Sequence, residues 1–494
     1  MKKDHILLIL ILLFAAFFRL WRIDEYLPFL GDEGRDVRVV YRFITQFDLM
    51  FIGPRTSIGD MYLGPLYYYF IFPWLALFHF SPTGPAVAVA LTGIATVAFI
   101  YHVAREWFGK TAAIVSAFLY AISPKVIELS KHSWNPNIMP FFALLCVYGM
   151  WRVWAKKQMW WLPIVGVSFA FVLQSHYLGL LLLPILGLLW VLGWLEARRT
   201  HSTKRFFVLS FLSLSIFVLL MSPLFLFDYK HGWHNMQSMK LFFTHRQETV
   251  SARPWNAIPT VWVLWNAKVV QEIIGVAQKS VGAAVALILA VLTGILLWTE
   301  RKRLTTSRAS FLLLVVWITV GLIGIGSIKQ NIFAHYFGFM FPAPFLLVGA
   351  LSEKWWDNKK WAVLCVLGTV AVFSLINNPL KNPPQRQMQR VQEIDKKIIE
   401  ESGGRAFNFG LVAERNYDEG YLYFFELWKA PVRQADPQHL AETVTDQLFV
   451  VCENLPCNPT TSSKAEIAHF GPTKIEKEWD TGGVKLYKLS HHQL

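Results

Sequence analysis

The sequence predicts a polytopic α-helical membrane protein with a small C-terminal extracytoplasmic α/β domain. Three observations predict it. Of 494 residues, 54% are hydrophobic and 15% aromatic, while only 16% are charged, against about 25% charged in soluble domains. Apolar runs long enough for membrane helices recur along most of the chain, and the mean hydropathy is +0.38. From residue 377 onward the pattern changes to polar helix and short strands. The net charge of +14 would also suit a nucleic-acid binder. Much of it lies in short loops between spans, where it sets membrane orientation instead, so no nucleic-acid partner is expected. Many of the 21 Trp lie near span ends and suit anchoring at the interface.

The first span covers about 5–20. Lys2 and Lys3 ahead of it favour a cytoplasmic N-terminus. No small-residue cleavage site precedes the 19–22 segment, so this reads as an uncleaved span rather than a removed signal peptide. Residues 21–61 form a first outer loop. Within it Val37, Val40, Ile44 and Phe47 fall near helical spacing, and Arg35, Arg38 and Arg42 take another face. That pattern predicts a helix lying along the membrane surface. Asp32 at its start is either a cap or a side chain facing a cavity; one does not exclude the other.

Residues 62–80 are apolar but broken by Pro65 and Pro73. Counting both 62–80 and 86–104 as full spans places the basic 105–110 turn outside, against the positive-inside rule, and inverts every later loop. A re-entrant or half-crossing 62–80 restores the rule. Irregular backbone at membrane depth is tolerated inside protein or at a wet cavity, so this segment is expected to line the site. The remaining spans are expected at about 111–123, 138–154, 160–175, 178–195, 206–227, 281–298, 310–328, 336–351 and 361–376. The total is about eleven crossings plus one partial segment. Cytoplasmic loops then include Lys156-Lys157, 196–205, 299–308 and Lys359-Lys360, and outer loops include 124–137 and 228–280. The tail is also outside. It carries a linker at 378–384, a polar helix at about 386–402, strands near 406–412 and 447–452 with a helix at 417–430 between them, and a hairpin turn at Thr481-Gly482-Gly483 before a strand at 484–489. It shows no nucleotide-binding glycine motif.

Cys146 and Cys365 lie in apolar spans and read as packing residues. Cys452 and Cys457 are either a disulfide, if the tail is extracytoplasmic, or two free thiols. A zinc site would want more ligands nearby.

The chemistry centres on 31–36, Gly-Asp-Glu-Gly-Arg-Asp. The spans between Leu63 and Ile376 hold almost no charge, which argues against an ion-coupled transporter. Charges gather instead in the outer loops. A carboxylate can take the proton of an acceptor hydroxyl as that hydroxyl attacks an electrophilic carbon. Nearby cations can stabilise an anionic leaving group such as a lipid phosphate. By itself an Asp-Glu pair equally serves as a cap or an ion pair.

With these residues in place, roughly 1–350 resembles the GT-C membrane glycosyltransferases, most of all the branch holding protein O-mannosyltransferases and the lipid A aminoarabinose transferase. The resemblance implies a GT-C-like fold. It places a transmembrane glycosyltransferase module at 1–376, with a catalytic outer loop at 21–61, and an extracytoplasmic α/β domain at 377–494. It carries the family's first-loop Asp onto Asp32, with Glu33 beside it as the second catalytic candidate. Tyr62-Leu63-Gly64-Pro65-Leu66-Tyr67 is similar to the apolar part of the family's Pro-containing segment; Asp60 is the nearest acid, and no Lys is present. The 105–124 stretch resembles the family's basic-Phe-Gly turn and following helix. Ser133-Trp134-Asn135-Pro136-Asn137 stands where many relatives carry Arg and Asp. It reads as substrate contact or as a Pro-Asn helix start. Gln174-Ser175-His176-Tyr177 resembles a helix end in relatives, and its lone His reads as structural or as a ligand. His335-Tyr336-Phe337 before Pro342 and Pro344 resembles a late motif in which relatives often place Arg. His335 would meet a phosphate when protonated or as a hydrogen-bond donor.

The resemblance puts His335 and Tyr336 at the donor phosphate, and Arg35, Arg246 and Lys329 are the cations in the outer loops that would join them there. It implies Asp60, Tyr62, His132, Trp134, Asn135, Asn137 and His176 at substrate. No Asp-x-Asp motif occurs in an outer loop, so transfer without metal or other cofactor is expected. The function so implied is an inverting glycosyltransferase in the plasma (inner) membrane. Its partners would be membrane lipids, a polyprenyl-phosphate-linked hexose or pentose, and an acceptor protein, lipid or glycan, met at the outer face. A carrier or flippase for a lipid-linked saccharide is the alternative reading, and a membrane scaffold a third.

Overall fold

The computed structural model describes residues 3–56, 60–244, 250–251, 253–302 and 305–492. The chain divides into two compact units. One comprises Met1–Trp21, Leu49–Ile71 and Ala86–Pro383; the other comprises Arg22–Asp48, Phe72–Pro85 and Pro384–Leu494. This differs from a cut at 376/377. The first outer loop is divided, and its helical part joins the tail.

The larger unit is helical. Among the described residues, seven helices are long and apolar enough to cross a membrane: Thr83–Trp107, Asn135–Lys156, Tyr177–Arg199, Thr203–Lys230, Lys279–Thr299, Thr306–Gly326 and Pro342–Ile376. An eighth arises if Lys110–Ile122 and Pro124–Ser130, bent by 63°, are counted as one span. The other segments expected to cross are shorter, broken or more charged. Lys3–Leu20 carries Lys3, Asp4 and Arg19 in 18 residues. Trp161–Ser175 has 15 residues, about 22 Å of helix against a hydrocarbon core of about 30 Å. Pro342–Ile376 is two helices meeting at a break at Lys359, where φ is −139° and ψ is 38°, which accommodates the two spans expected at 336–351 and 361–376. Leu66–Leu77 is 12 residues long with Pro73 inside it, about 18 Å. That length suits a partial crossing.

The 63° bend has a local cause. Ser123 precedes Pro124 and is extended, with φ −60° and ψ 124°, as the proline ring requires. Its hydroxyl donates to the Ile273 carbonyl at 2.6 Å. The carbonyls freed at the end of Lys110–Ile122 receive Arg19, whose Nη1 donates to Ala121 O at 2.9 Å and Nη2 to Tyr120 O at 3.3 Å. A buried guanidinium thus replaces the missing intrahelical donors.

The smaller unit holds a mixed sheet of β1 (Phe407–Val412), β2 (Val432–Arg433), β3 (Gln447–Cys452), β4 (Thr473–Thr481) and β5 (Val484–His491), in the order β2-β1-β3-β5-β4. β1 runs parallel to β2 and β3, and β5 runs antiparallel to β3 and β4. β3 is buried along its whole length, as a central strand with both faces covered should be. The polar helix is Gln387–Ser402, and the expected strands and hairpin are present. Cys452 and Cys457 form a disulfide with Cα atoms 6.1 Å apart.

Helix Glu419–Leu427 lies between this sheet and helix Gly31–Gln46. Tyr421 and Phe425 pack on Phe409 of β1, with ring centroids 5.2 and 5.3 Å away. On the other side a Cβ at Gly34 would overlap the Gly420 backbone. Of the apolar face read as lying on the membrane, Val37 and Val40 are therefore buried, while Phe47 at its end is 82% exposed; the small residues permit the close approach of the two helices.

Candidate active site

Helix Gly31–Gln46 starts where Glu33 turns back: its Oε2 accepts the Leu30 amide at 2.8 Å. This is the N3 half of a capping box. Glu33 is 3% exposed, so the capping role falls to Glu33, and the expected catalytic pair separates into one buried cap and one open acid. Asp32 keeps 40% of its side chain exposed. Its place in the first turn favours negative charge through the helix dipole.

Two donors meet Asp32 Oδ1: Arg35 Nη1 at 2.8 Å and the Tyr417 hydroxyl at 2.7 Å. Arg35 Nη1 also donates to Tyr417 Oη at 3.0 Å. The other edge of Arg35 is taken by Asp36 Oδ1, through Nε at 3.0 Å and Nη2 at 2.7 Å. Arg35, expected at a phosphate, pairs here with two carboxylates on its own helix. Asp36 is fully buried. Burial pushes its carboxyl up to about 7, Arg35 opposes that, and Asp32 and Glu33 add to it.

The tail grips this helix along its length. Gly31 N and Tyr417 N both donate to Asn416 Oδ1 at 2.9 Å. Asn416 Nδ2 donates to Glu453 Oε1 and Oε2 at 3.0 and 3.1 Å, and Tyr421 donates to Glu453 at 2.8 Å. Further along, Arg38 reaches Glu426 at 2.7 Å and Glu419 at 2.9 Å, and Arg42 reaches Glu426 at 2.8 Å. Asn416, Tyr417 and Glu453 were not foreseen as parts of this cluster, and Asp36, inside the 31–36 stretch, was given no role of its own. Tyr417 lies 385 positions from Asp32, and neither periodicity nor spacing signals that pairing.

In the larger unit, five of the expected residues come together as an aromatic wall. Trp134 lies 5.3 Å from His132 and 4.5 Å from His335, between ring centroids. His176 is 6.0 Å from His335 and 5.2 Å from Tyr336. Asn135 and Asn137 underpin the wall. Asn135 Nδ2 donates to Ser175 O at 2.6 Å, and Asn137 Nδ2 donates to His132 O at 2.9 Å. His176 Nδ1 accepts the Leu178 amide at 3.1 Å, which leaves the proton of the neutral ring on Nε2. Burial pushes His176 down to about 4. Burial and the neighbouring His176, His132 and Lys125 push His335 down to about 3. Both rings are neutral at pH 7, so the expectation of a protonated His335 gives way to that of a hydrogen-bond donor.

Asp60 and Tyr62 form a separate group in the same unit. Asp60 is ion-paired with Arg55, and its carbonyl lies 3.1 Å from His234 Nε2. The Tyr62 backbone is held by Asn235 at 2.8 and 3.1 Å and by the Tyr177 hydroxyl at 2.6 Å. Lys329 is exposed and follows Ile328, which bridges to Val250. Arg246 lies outside the described residues.

Comparison with known proteins gives a consistent picture. Residues 63–222 match the family model described as dolichyl-phosphate-mannose-protein mannosyltransferase. YkcB of Bacillus subtilis (strain 168), a protein named as a mannosyltransferase, is 24% identical over 186 residues, which span 36% of this chain and 25% of that relative. The chain thus matches about a quarter of that relative's length. The crystal structure of ArnT from Cupriavidus metallidurans bound to undecaprenyl phosphate superposes with TM-score 0.61 at 14% identity, covering 99% of this chain and 98% of that one. An Archaeoglobus fulgidus oligosaccharyltransferase tethered to an acceptor peptide gives TM-score 0.51 at 14% identity, covering 88% of this chain and 64% of that one.

Proposed function

Starting from a chain with the GT-C membrane glycosyltransferase fold and a mannosyltransferase-family segment at residues 63–222, we propose that it transfers a sugar, with inversion, from a polyprenyl-phosphate donor to an acceptor hydroxyl at the outer membrane face. The observation that carries this reading is the division of labour among three neighbouring carboxylates. Glu33 is spent on the helix start and Asp36 is buried under Arg35, which leaves Asp32 partly exposed and held through one oxygen.

Asp32 Oδ2 takes the acceptor's hydroxyl proton. The acceptor oxygen forms a bond to the anomeric carbon from the face opposite the phosphate. The bond from that carbon to the phosphate oxygen breaks, and polyprenyl phosphate leaves with the electron pair. Proton removal by a positioned base contributes about 10²–10⁴-fold. His335, Tyr336 and Lys329 are assigned to the donor phosphate, the two rings as neutral donors and Lys329 as the permanent charge. Trp134 and His132 are assigned to the sugar. The undecaprenyl phosphate bound to ArnT and the acceptor peptide tethered to the oligosaccharyltransferase support a lipid-linked donor and a separate acceptor. The outer face is supported by the basic loops that would lie inside and by the Cys452–Cys457 disulfide.

The test places wild type and Asp32→Asn in lipid nanodiscs with a panel of polyprenyl-phosphate sugars and an acceptor extract, and follows polyprenyl phosphate by mass spectrometry. Wild type is expected to release it, and Asp32→Asn to release it at least about 100-fold more slowly while folding and inserting normally. Equal release by both would remove Asp32 from the chemistry.

A further inference from the structure

The geometry points to Tyr417, on the C-terminal domain, as a positioning residue for Asp32: its hydroxyl fixes the carboxylate so that the second oxygen faces the acceptor. The inference rests on the role proposed for Asp32, and it makes the C-terminal domain a working part of the catalytic apparatus.

Three features within the smaller unit carry it. The Tyr417 hydroxyl is bonded on both sides, donating to Asp32 Oδ1 at 2.7 Å and accepting from Arg35 Nη1 at 3.0 Å. Arg35 Nη1 closes the triangle on the same Oδ1 at 2.8 Å. Two donors in different directions on one carboxylate oxygen define the plane of the group, which a single bond would leave free to turn. The second feature is that the phenol is itself held. Its ring lies over Gly31, where a Cβ would overlap it. Its backbone amide and that of Gly31 share the Asn416 carbonyl oxygen at 2.9 Å each. Asn416 is in turn anchored by both oxygens of Glu453, just past the end of β3. The base and its positioning group are therefore referred to one fixed point. Lastly, Arg35 alone would leave Asp32 on a side chain also shared with Asp36; the phenol, neutral at pH 7, adds direction without adding charge.

A base displaced by about 1 Å from its working geometry can cost about 100-fold in rate. The test compares wild type with Tyr417→Phe, which keeps the ring on Gly31 and removes only the hydroxyl. Full-length protein is used in nanodiscs with a polyprenyl-phosphate sugar. The expected result is a fall in kcat of about 10–100-fold, with KM for donor and acceptor and the melting temperature unchanged. In the Asp32→Asn background the same substitution is expected to have no further effect, because the two groups act as a unit. Wild-type kcat in Tyr417→Phe, or a fall in kcat matched by a lowered melting temperature, would overturn the assignment. A readout independent of turnover separates this from the function itself. The Asp32 carboxylate stretch, isolated as the infrared difference between wild type and Asp32→Asn, is expected to shift in Tyr417→Phe whether or not a donor supports catalysis. An unshifted band overturns the positioning bond. A shifted band without transfer by wild type keeps the bond and sinks only the catalytic reading of Asp32.

Discussion

Asp36 is the residue at which burial and charge oppose each other most directly. Its carboxyl is buried beside Arg35, which it shares with Asp32. Burial pushes it up to about 7 from an ordinary 3.8. Between those two values the folded chain holds more protons at this site than the unfolded chain does. Its contribution to stability is therefore present at low pH and is lost as pH rises from about 4 to about 7. Asp36→Asn removes the titration, and the melting temperature of the variant is expected to vary less with pH across that window than that of wild type. An identical pH dependence in the two proteins would show that folding does not shift the Asp36 carboxyl. The other outcome of the local contest is geometric. Glu33 and Asp32 are adjacent in sequence, and composition treats them as equivalent acids. The backbone distinguishes them, because only position N3 can reach back to the amide before the helix. The resemblance singled out Asp32, and the structure leaves that acid partly exposed. That Glu33 would be the cap follows from where the helix begins, and boundaries are the least certain part of a sequence reading.

At the scale of elements, helix Gly31–Gln46 shows what an amphipathic pattern does and does not specify. The spacing of Val37 and Val40 states that one face is buried. It does not state against what, and a membrane surface and a protein surface ask for the same period. The structure supplies helix Glu419–Leu427, and the close approach at Gly34 and Gly420 is flanked by the Arg38 and Arg42 pairs with Glu419 and Glu426. Replacing Gly34 with Ala puts a methyl group into the Gly420 backbone. The two helices must separate, at a cost of about 1–3 kcal/mol, which should appear as a lower melting temperature and a lower kcat together. Unchanged stability in Gly34→Ala would mean that the helix pair is not closely packed. The same contrast explains the membrane helices. Their positions were readable from composition alone, since apolar length is what a bilayer demands. The bend at Ser123-Pro124 has a local signal in the proline. The capture of the freed carbonyls by Arg19 has none, because that contact joins positions 102 apart.

At the scale of the whole molecule, two signals of different physical origin bear on the proposed orientation. One is statistical: basic loops such as Lys156-Lys157, 196–205 and 299–308 are expected on the cytoplasmic side. The other is chemical: a disulfide persists where the compartment is oxidising. The second bears on the site with little intervening inference. Cys452, Cys457 and Asp32 belong to the same compact unit, so the side of the membrane that holds the disulfide also holds the acid. Of the remaining thiols, Cys146 is buried and Cys365 lies within the Pro342–Ile376 helix, which leaves the tail pair as the thiols in the water-facing domain. Intact cells are therefore expected to expose Cys452 and Cys457 to a membrane-impermeant maleimide only after treatment with a membrane-impermeant reductant, with the mass increase mapped to the 452–457 peptide. A Cys452→Ser, Cys457→Ser variant should lose that labelling. Labelling that requires permeabilised cells would place the C-terminal domain in the cytoplasm, and Asp32 with it. The acceptor would then have to be met at the inner face, and the basic loops would stand against their usual bias.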